Sequence, residues 1–171
     1  MPSRPFRSFI VALCAVAVSW TLQVTAAAAL EQGAKAPDIG LTDLSGKTVT
    51  MAALAGKVVV IDFWATWCAP CKQELPVLNK LYKKYGPSGL VIVGVSVDEK
   101  VDNVRAFLGK LPIEFPVVHD AEHLVSNRYK PTKMPSSFIV DRKGIVRYVH
   151  GGFHAEDAAS FENEIRTLLS K

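Results

Sequence analysis

Two cysteines separated by two residues are the part of this sequence best suited to carry out chemistry. Cys68 and Cys71 lie within residues 63–74, which read Phe-Trp-Ala-Thr-Trp-Cys-Ala-Pro-Cys-Lys-Gln-Glu. An apolar, strand-like run ends at the first residue of this segment, and an amphipathic helical pattern begins within it. Cys68 is therefore expected at the start of a helix, where free backbone N–H groups and the helix dipole favour a thiolate. The second cysteine returns to the same side of the helix three residues later. The pair can close a disulfide or open to a dithiol, which is typical of thiol–disulfide exchange.

A stabilising disulfide and half of a zinc site are the alternative interpretations of this cysteine pair. A zinc site needs about four ligands, and the chain has no second Cys-x-x-Cys. A loop this short removes little chain entropy, so a purely structural bridge would stabilise the fold only weakly. The histidines are scattered, at positions 119, 123, 150 and 154. The context therefore favours a redox role, and we interpret His119 and His123 as surface residues.

Residues 1–29 have the pattern of a secretory signal peptide. Two arginines and no acid precede an apolar core over residues 9–22, and an alanine-rich stretch at residues 25–29 supplies a cleavage site. An uncleaved membrane anchor is the alternative, although the apolar stretch is short for a membrane span. The sequence thus predicts a periplasmic domain over residues 30–171, which is long enough to bury one core.

Removal of the signal peptide changes the inventory of cysteines and charges. Cys14 leaves with it, so Cys68 and Cys71 become the only cysteines, and none remains for a structural disulfide. The formal net charge falls from +4 to +2 because both arginines of the leader are lost. Such a small charge gives no basis for a nucleic-acid or membrane-surface partner.

The alternation of strands and helices predicts a thioredoxin-like α/β arrangement. Strands over residues 57–63 and 90–97 flank a helix over residues 69–85, so these strands should be parallel, with a right-handed crossover. A mixed central sheet with helices on both faces follows. The other predicted elements are a hairpin within 37–50, a helix at 101–111, a strand at 115–118, a helix at 122–128, a hairpin of strands 136–140 and 145–150, and a helix at 155–170.

Two acidic residues occupy positions that predict burial close to the cysteines. Asp62 lies inside the first apolar strand, where desolvation should raise the pKa of its carboxyl group. It could then move protons for the buried cysteine during exchange. Glu74 follows Cys71 by three residues and lies on the apolar stripe of the helix. The alternative for Glu74 is an ordinary acid favoured by the helix dipole.

These features together resemble a known family. Residues 60–72, Val-Ile-Asp-Phe-Trp-Ala-Thr-Trp-Cys-Ala-Pro-Cys-Lys, resemble the active-site segment of thioredoxin-fold proteins. The signal peptide, the N-terminal hairpin, an insert at about residues 98–120 and the run Met-Pro-Ser-Ser-Phe at residues 134–138 narrow the resemblance. They are similar to the TlpA-like extracytoplasmic thiol–disulfide oxidoreductases, which include ResA and the cytochrome c maturation proteins CcmG/DsbE. The resemblance covers residues 30–171.

The resemblance implies roles for the cysteines and the acids. Cys68 would be the attacking, partly exposed thiol, and Cys71 the shielded resolving thiol. Glu74 matches a glutamate found beneath the active site in ResA-like proteins. Many of those proteins carry asparagine where this chain has Asp62, so the two acids combine features of thioredoxin and ResA.

The resemblance also implies a surface that binds the partner. Pro135 matches the cis-proline loop that faces the cysteines, which would leave the backbone of Met134 free to pair with an extended partner segment. Trp67 should be exposed beside the attacking cysteine, and Ala69 and Pro70 between the cysteines complete this surface.

The activity that the resemblance implies is reduction of disulfides in partner proteins in the periplasm. Apocytochrome c or a copper-assembly protein would be the substrate, and a membrane electron donor of the CcdA/DsbD type would recharge the protein. We expect a monomer that needs no metal and no cofactor beyond the redox-active disulfide between Cys68 and Cys71.

Two other activities are worth comparing with this one. A peroxiredoxin-type thiol peroxidase would carry Pro-x-x-x-Thr/Ser-x-x-Cys, but Ile61 and Ala65 occupy the first two defining positions. A Sco-like copper-binding chaperone would have three residues between its cysteines instead of two. Both motifs therefore fail.

Overall fold

A computed structural model describes residues 29–171 of the protein. The predicted signal peptide lies almost wholly outside the described residues. Within residues 29–171, no helix is long and apolar enough to cross a membrane.

A five-stranded mixed sheet forms the centre of the domain. β3 is buried along its whole length, as expected of a β-branched run between two neighbouring strands. It pairs in parallel with β4, and β4 with β5, whereas β6 is antiparallel to β3 and β7 is antiparallel to β6. The order across the sheet is β5-β4-β3-β6-β7, and β1 and β2 form a separate hairpin. The strands are β1 (Leu41–Thr42), β2 (Thr48–Val49), β3 (Val58–Trp64), β4 (Leu90–Ser96), β5 (Val117–His119), β6 (Ser136–Val140) and β7 (Val146–Gly151).

Helices cover both faces of this sheet, as predicted. The helices are α1 (Ala69–Tyr85), α2 (Val101–Leu108), α3 (Ser126–Tyr129) and α4 (Asp157–Leu169). α1, α2 and α4 pack against one face in a cluster that includes Trp64, Leu75 and Phe161. α3 and the N-terminal hairpin cover the other face.

Aromatic rings fill the core beneath α3. The rings of Phe63, Tyr129 and Phe138 have centroids 5.2 to 5.8 Å apart in tilted or edge-on arrangements, which aromatic pairs prefer. These residues come from β3, α3 and β6. The cluster therefore joins three elements that are distant in the sequence.

The N-terminal hairpin protects one edge of the sheet. Asp43 forms a β-bridge with Val118, and the Leu44 N–H donates a hydrogen bond of 2.9 Å to the carbonyl of Val117. An uncovered strand edge would be free to pair with other chains. The hairpin thus closes the β5 side of the sheet.

Several predicted elements differ in their limits, three of them for a clear local reason. The strand expected at 115–118 begins at Val117, because Pro116 has no N–H to donate. The helix expected at 122–128 is shortened to α3, since His123 has a left-handed φ of 56° that a helix does not accommodate. The helix expected at 101–111 ends at Leu108, with Gly109 as its cap.

Candidate active site

The disulfide lies where β3 gives way to α1. Cys68 is the residue that caps the N-terminus of α1, and Cys71 lies in the first turn. The two are joined in a disulfide, with their Cα atoms 5.4 Å apart. The Cys71 N–H donates to Cys68 Sγ at 3.2 Å. A backbone donor and the positive end of the helix thus both act on the Cys68 sulfur, and both stabilise negative charge there.

The residues around the disulfide differ widely in their exposure to solvent. Trp67 is 67% exposed, whereas Cys68 is 5% exposed and Cys71 is completely buried. Ala69 and Pro70 are exposed. Cys68 is therefore less exposed than the sequence led us to expect, because it forms part of the hydrophobic cluster beneath α1.

The difference between the two sulfurs predicts the order of alkylation. In the reduced protein near neutral pH, we expect iodoacetamide to modify Cys68 at least about ten times faster than Cys71, because only Cys68 combines some exposure with the helix N-terminus. Peptide mapping by mass spectrometry at short reaction times measures this order. Preferential labelling of Cys71 would reverse the assignment of attacking and resolving thiols.

The proline loop lies at the same edge of the sheet as the disulfide. The Met134–Pro135 peptide bond is cis. The next residue, Ser136, is the register partner of Phe63, and Phe63 precedes Cys68 by five residues. The loop therefore lies beside the end of β3. Pro135 is buried, and its carbonyl accepts a hydrogen bond of 2.8 Å from the Gly152 N–H. Met134 is half-buried and packs against both cores.

Two acidic side chains are buried together on the α1 side of β3. Asp62 is completely buried and Glu74 is 1% exposed. The Ser137 hydroxyl oxygen lies 3.0 Å from Asp62 Oδ1 and 3.0 Å from Glu74 Oε1. A hydroxyl group has one hydrogen to donate, so it can donate to only one of these oxygens. The other contact is a hydrogen bond only if that carboxyl group is protonated and donates to Ser137.

The surroundings of the two carboxyl groups indicate where this proton lies. Burial raises the pKa of Glu74, and the charge of Asp62 raises it further, against a smaller lowering by the Ser137 hydrogen bond. Burial also raises the pKa of Asp62, against a smaller lowering by the Ser137 hydrogen bond and the neighbouring Glu74 carboxyl group. Among the described residues, Asp62 Oδ2 and Glu74 Oε2 have no hydrogen-bond partner. Two charges here would be costly, so we assign the proton to Glu74 and the first charge to Asp62.

Sequence reasoning missed the residue that joins these acids. Ser137 was part of the run that supported the family resemblance, but no role was assigned to it. Its register pairing with Asp62 places both side chains on the α1 face of the sheet. The period-two alternation of β6 could have indicated this face once the pairing with β3 was known, because Ile139, two residues on, packs in the same cluster.

The interpretation of His119 as a surface residue is wrong. Its side chain is partly buried at the end of β5, with Nε2 2.6 Å from the carbonyl oxygen of Asp98. The pairing of β5 with β4 brings His119 beside the end of β4. Local sequence patterns could not predict this long-range pairing.

Comparison with known proteins adds independent support for exchange chemistry at this site. Residues 32–149 match the AhpC/TSA family. The thiol-disulfide oxidoreductase ResA of Geobacillus thermodenitrificans is 35% identical over 149 residues, which cover 85% of this chain and 86% of that protein.

Solved structures that are similar to this chain belong to the same class of proteins. One is a Chlorobium tepidum protein provisionally assigned as the thiol:disulfide interchange protein DsbE. It has a TM-score of 0.79 and 38% identity and covers 82% of this chain and 99% of its own. Another, a thiol:disulfide interchange protein of the thioredoxin family from Chlorobium tepidum TLS, has a TM-score of 0.71 and 29% identity. It covers 82% of this chain and 99% of its own.

Proposed function

Because the chain belongs to the AhpC/TSA family of thioredoxin-like proteins and is a thiol–disulfide oxidoreductase of the ResA and DsbE type, we propose that it reduces disulfides in partner proteins outside the cytoplasm. One observation carries the direction of the reaction. Cys71 lies three residues before Glu74 on α1, and the negative charge that the buried Asp62–Glu74 pair carries on Asp62 opposes negative charge on the sulfurs.

The reduced protein would act in two displacement steps. The Cys68 thiolate attacks one sulfur of the partner disulfide, which forms a mixed disulfide and releases the other partner sulfur as a thiolate. Cys71, as a thiolate, then attacks the Cys68 sulfur, closes the Cys68–Cys71 disulfide and releases the second partner sulfur. The partner gains two electrons and two protons, and this protein loses both.

The acid pair would manage the proton of the resolving cysteine. Cys71 is completely buried, so its thiol needs a nearby base before it can attack. Glu74 follows it by three residues on α1 and so lies on the same side of the helix. A carboxylate of the Asp62–Glu74 pair is therefore placed to accept this proton and return it when the disulfide is reduced.

The partner would bind as an extended segment across the exposed edge of the site. Trp67, Ala69 and Pro70 present exposed surface beside the disulfide, and Met134 and Pro135 lie at the same edge of the sheet. Main-chain pairing with this loop would hold the segment. We assign these five residues to partner binding.

The setting that we propose is the periplasm. The leader pattern of residues 1–29 supports export, and the resemblance to ResA and DsbE supports a role in cytochrome c maturation or the assembly of a copper site. A membrane donor of the CcdA/DsbD type would return the disulfide to the dithiol. The protein would act as a monomer without a bound cofactor.

Trapping of the mixed disulfide tests this function. Cys71→Ala leaves the attacking thiol without its resolving partner, so we expect it to form a stable adduct with an oxidised Cys-x-x-Cys-His peptide, the haem-attachment motif of c-type cytochromes. Intact-mass measurement should show one peptide per protein, released by dithiothreitol.

Matched variants control this trapping experiment. Cys68→Ala, which keeps only the buried thiol, should form less than about a tenth as much adduct. The proposal fails if Cys71→Ala forms no adduct with the peptide, or if Cys68→Ala traps it equally well.

A further inference from the structure

A buried carboxylate holds the turn that carries the disulfide. Asp98 follows β4 and is 2% exposed. Its Oδ1 accepts a hydrogen bond of 2.6 Å from the Thr66 hydroxyl, and its Oδ2 accepts one of 3.0 Å from the Thr66 N–H. Ser96 Oγ also donates to Oδ2 at 2.9 Å. Thr66 precedes Cys68 by two residues, so a single carboxylate binds the active-site turn through both the backbone and a side chain.

Contacts from the neighbouring strands hold Asp98 itself. His119, at the end of β5, lies with Nε2 2.6 Å from the Asp98 carbonyl oxygen. The Val97 N–H donates to the carbonyl of Trp64 at 3.0 Å, and the Asp120 N–H donates to the carbonyl of Ser96 at 2.8 Å. The ends of β3, β4 and β5 are thus tied together where the turn to Cys68 begins.

Within the described part of the chain, the Asp98 carboxylate has hydrogen-bond donors but no ion-pair partner. None of the ion pairs within residues 29–171 involves it, and His119 contacts its backbone carbonyl instead of its side chain. Three donors converging on two oxygens suit the ionised form. A negative charge behind the turn disfavours a second negative charge on Cys68.

We propose that Asp98 is a positioning residue for disulfide exchange. Through Thr66 it fixes the turn that presents Trp67 and Cys68 to the partner, and its charge opposes the Cys68 thiolate. This role rests on exchange at the Cys68–Cys71 pair and is independent of whether the protein acts as a reductant in the cell.

Equilibration with glutathione tests the role of the charge. One protein disulfide and two glutathione molecules give one protein dithiol and one glutathione disulfide. Asp98→Asn removes the charge and keeps the shape, so we expect the equilibrium constant to shift toward the dithiol by at least about threefold and the thiolate absorbance to appear at lower pH. Glu99→Gln removes the charge of the adjacent exposed residue. It should change the equilibrium constant by less than about twofold and leave the thiolate absorbance at the pH of wild type.

A second pair of variants tests the role of the turn. Thr66→Val removes the hydroxyl donor but leaves the Asp98 charge, whereas Thr66→Ser keeps the hydroxyl. We expect Thr66→Val to react with the oxidised Cys-x-x-Cys-His peptide about tenfold more slowly than Thr66→Ser, because a misplaced nucleophile loses rate steeply.

The outcomes separate this inference from the proposed function. If Asp98→Asn does not fold, the comparison of the two Thr66 variants decides whether the turn is positioned in this way. Equal rates for these variants would overturn the positioning role, as would an Asp98→Asn equilibrium and thiol titration like those of wild type. A wild-type protein that fails to exchange with glutathione at all would instead contradict the redox site itself.

Discussion

Replacement of Glu74 by glutamine should stabilise the oxidised protein at pH 8 by at least about 1 kcal/mol, the equivalent of nearly one pKa unit. This sign is opposite to that of most substitutions at buried positions. It arises because burial and the Asp62 charge raise the pKa of Glu74 in the folded state. Glutamine keeps the shape, can accept from Ser137, and can donate toward Asp62, but it carries no ionisable proton.

The pH dependence follows from the direction of the pKa shift. In the unfolded chain Glu74 ionises near its ordinary pKa of about 4.3, while the folded state still holds the proton. The folded state therefore binds more protons than the unfolded state above that pH, and wild-type stability falls as pH rises from about 4. Glu74→Gln abolishes the contribution of Glu74, whereas Asp62, whose pKa is also raised, keeps its own.

Thermal unfolding at pH 5 and pH 8 measures the effect. The advantage of Glu74→Gln in Tm should be larger at pH 8 than at pH 5, by at least about 2 °C. Glu122→Gln, at an exposed acid, should change Tm little at either pH. An advantage that is absent at pH 8, or equal at the two pH values, would mean that Glu74 is not held protonated in the fold.

The second large effect concerns the reduction potential. We expect the wild-type potential to lie below about −200 mV, far from the value of about −120 mV that DsbA reaches by stabilising its reduced form. The backbone donor and helix N-terminus at Cys68 favour a thiolate. The charge on Asp62, on the side of β3 that α1 covers, opposes it. Asp62→Asn should accordingly lower the pKa of the cysteine thiols.

The sequence predicted the fold well where local patterns and long-range pairing agree. The β-branched run of β3 and the amphipathic pattern of α1 are strong signals, and α1 spans Ala69–Tyr85 as predicted. The helix continues through Pro76. Predictions were weaker where the backbone conformation of a single residue sets the limit of an element. His123 has a left-handed backbone, and α3 begins only after it.

The candidate site was predictable only in part. The cysteines could be placed because a strand-to-helix junction fixes both of them, and the burial of Asp62 and Glu74 followed from their places on a strand and a helix. Ser137 and Asp98 could not be found in this way. Each meets its partners through strand pairing across more than thirty residues of sequence, and local sequence patterns do not record such pairing.

Redox equilibration of the wild-type protein tests the central claim most directly. The full exported protein would be incubated at pH 7 in glutathione or dithiothreitol buffers of known potential, and its dithiol fraction read by alkylation and intact mass. A midpoint below about −200 mV, in the direction of thioredoxin at about −270 mV, agrees with a reductant. A midpoint near −120 mV would contradict the account and identify the protein as an oxidant.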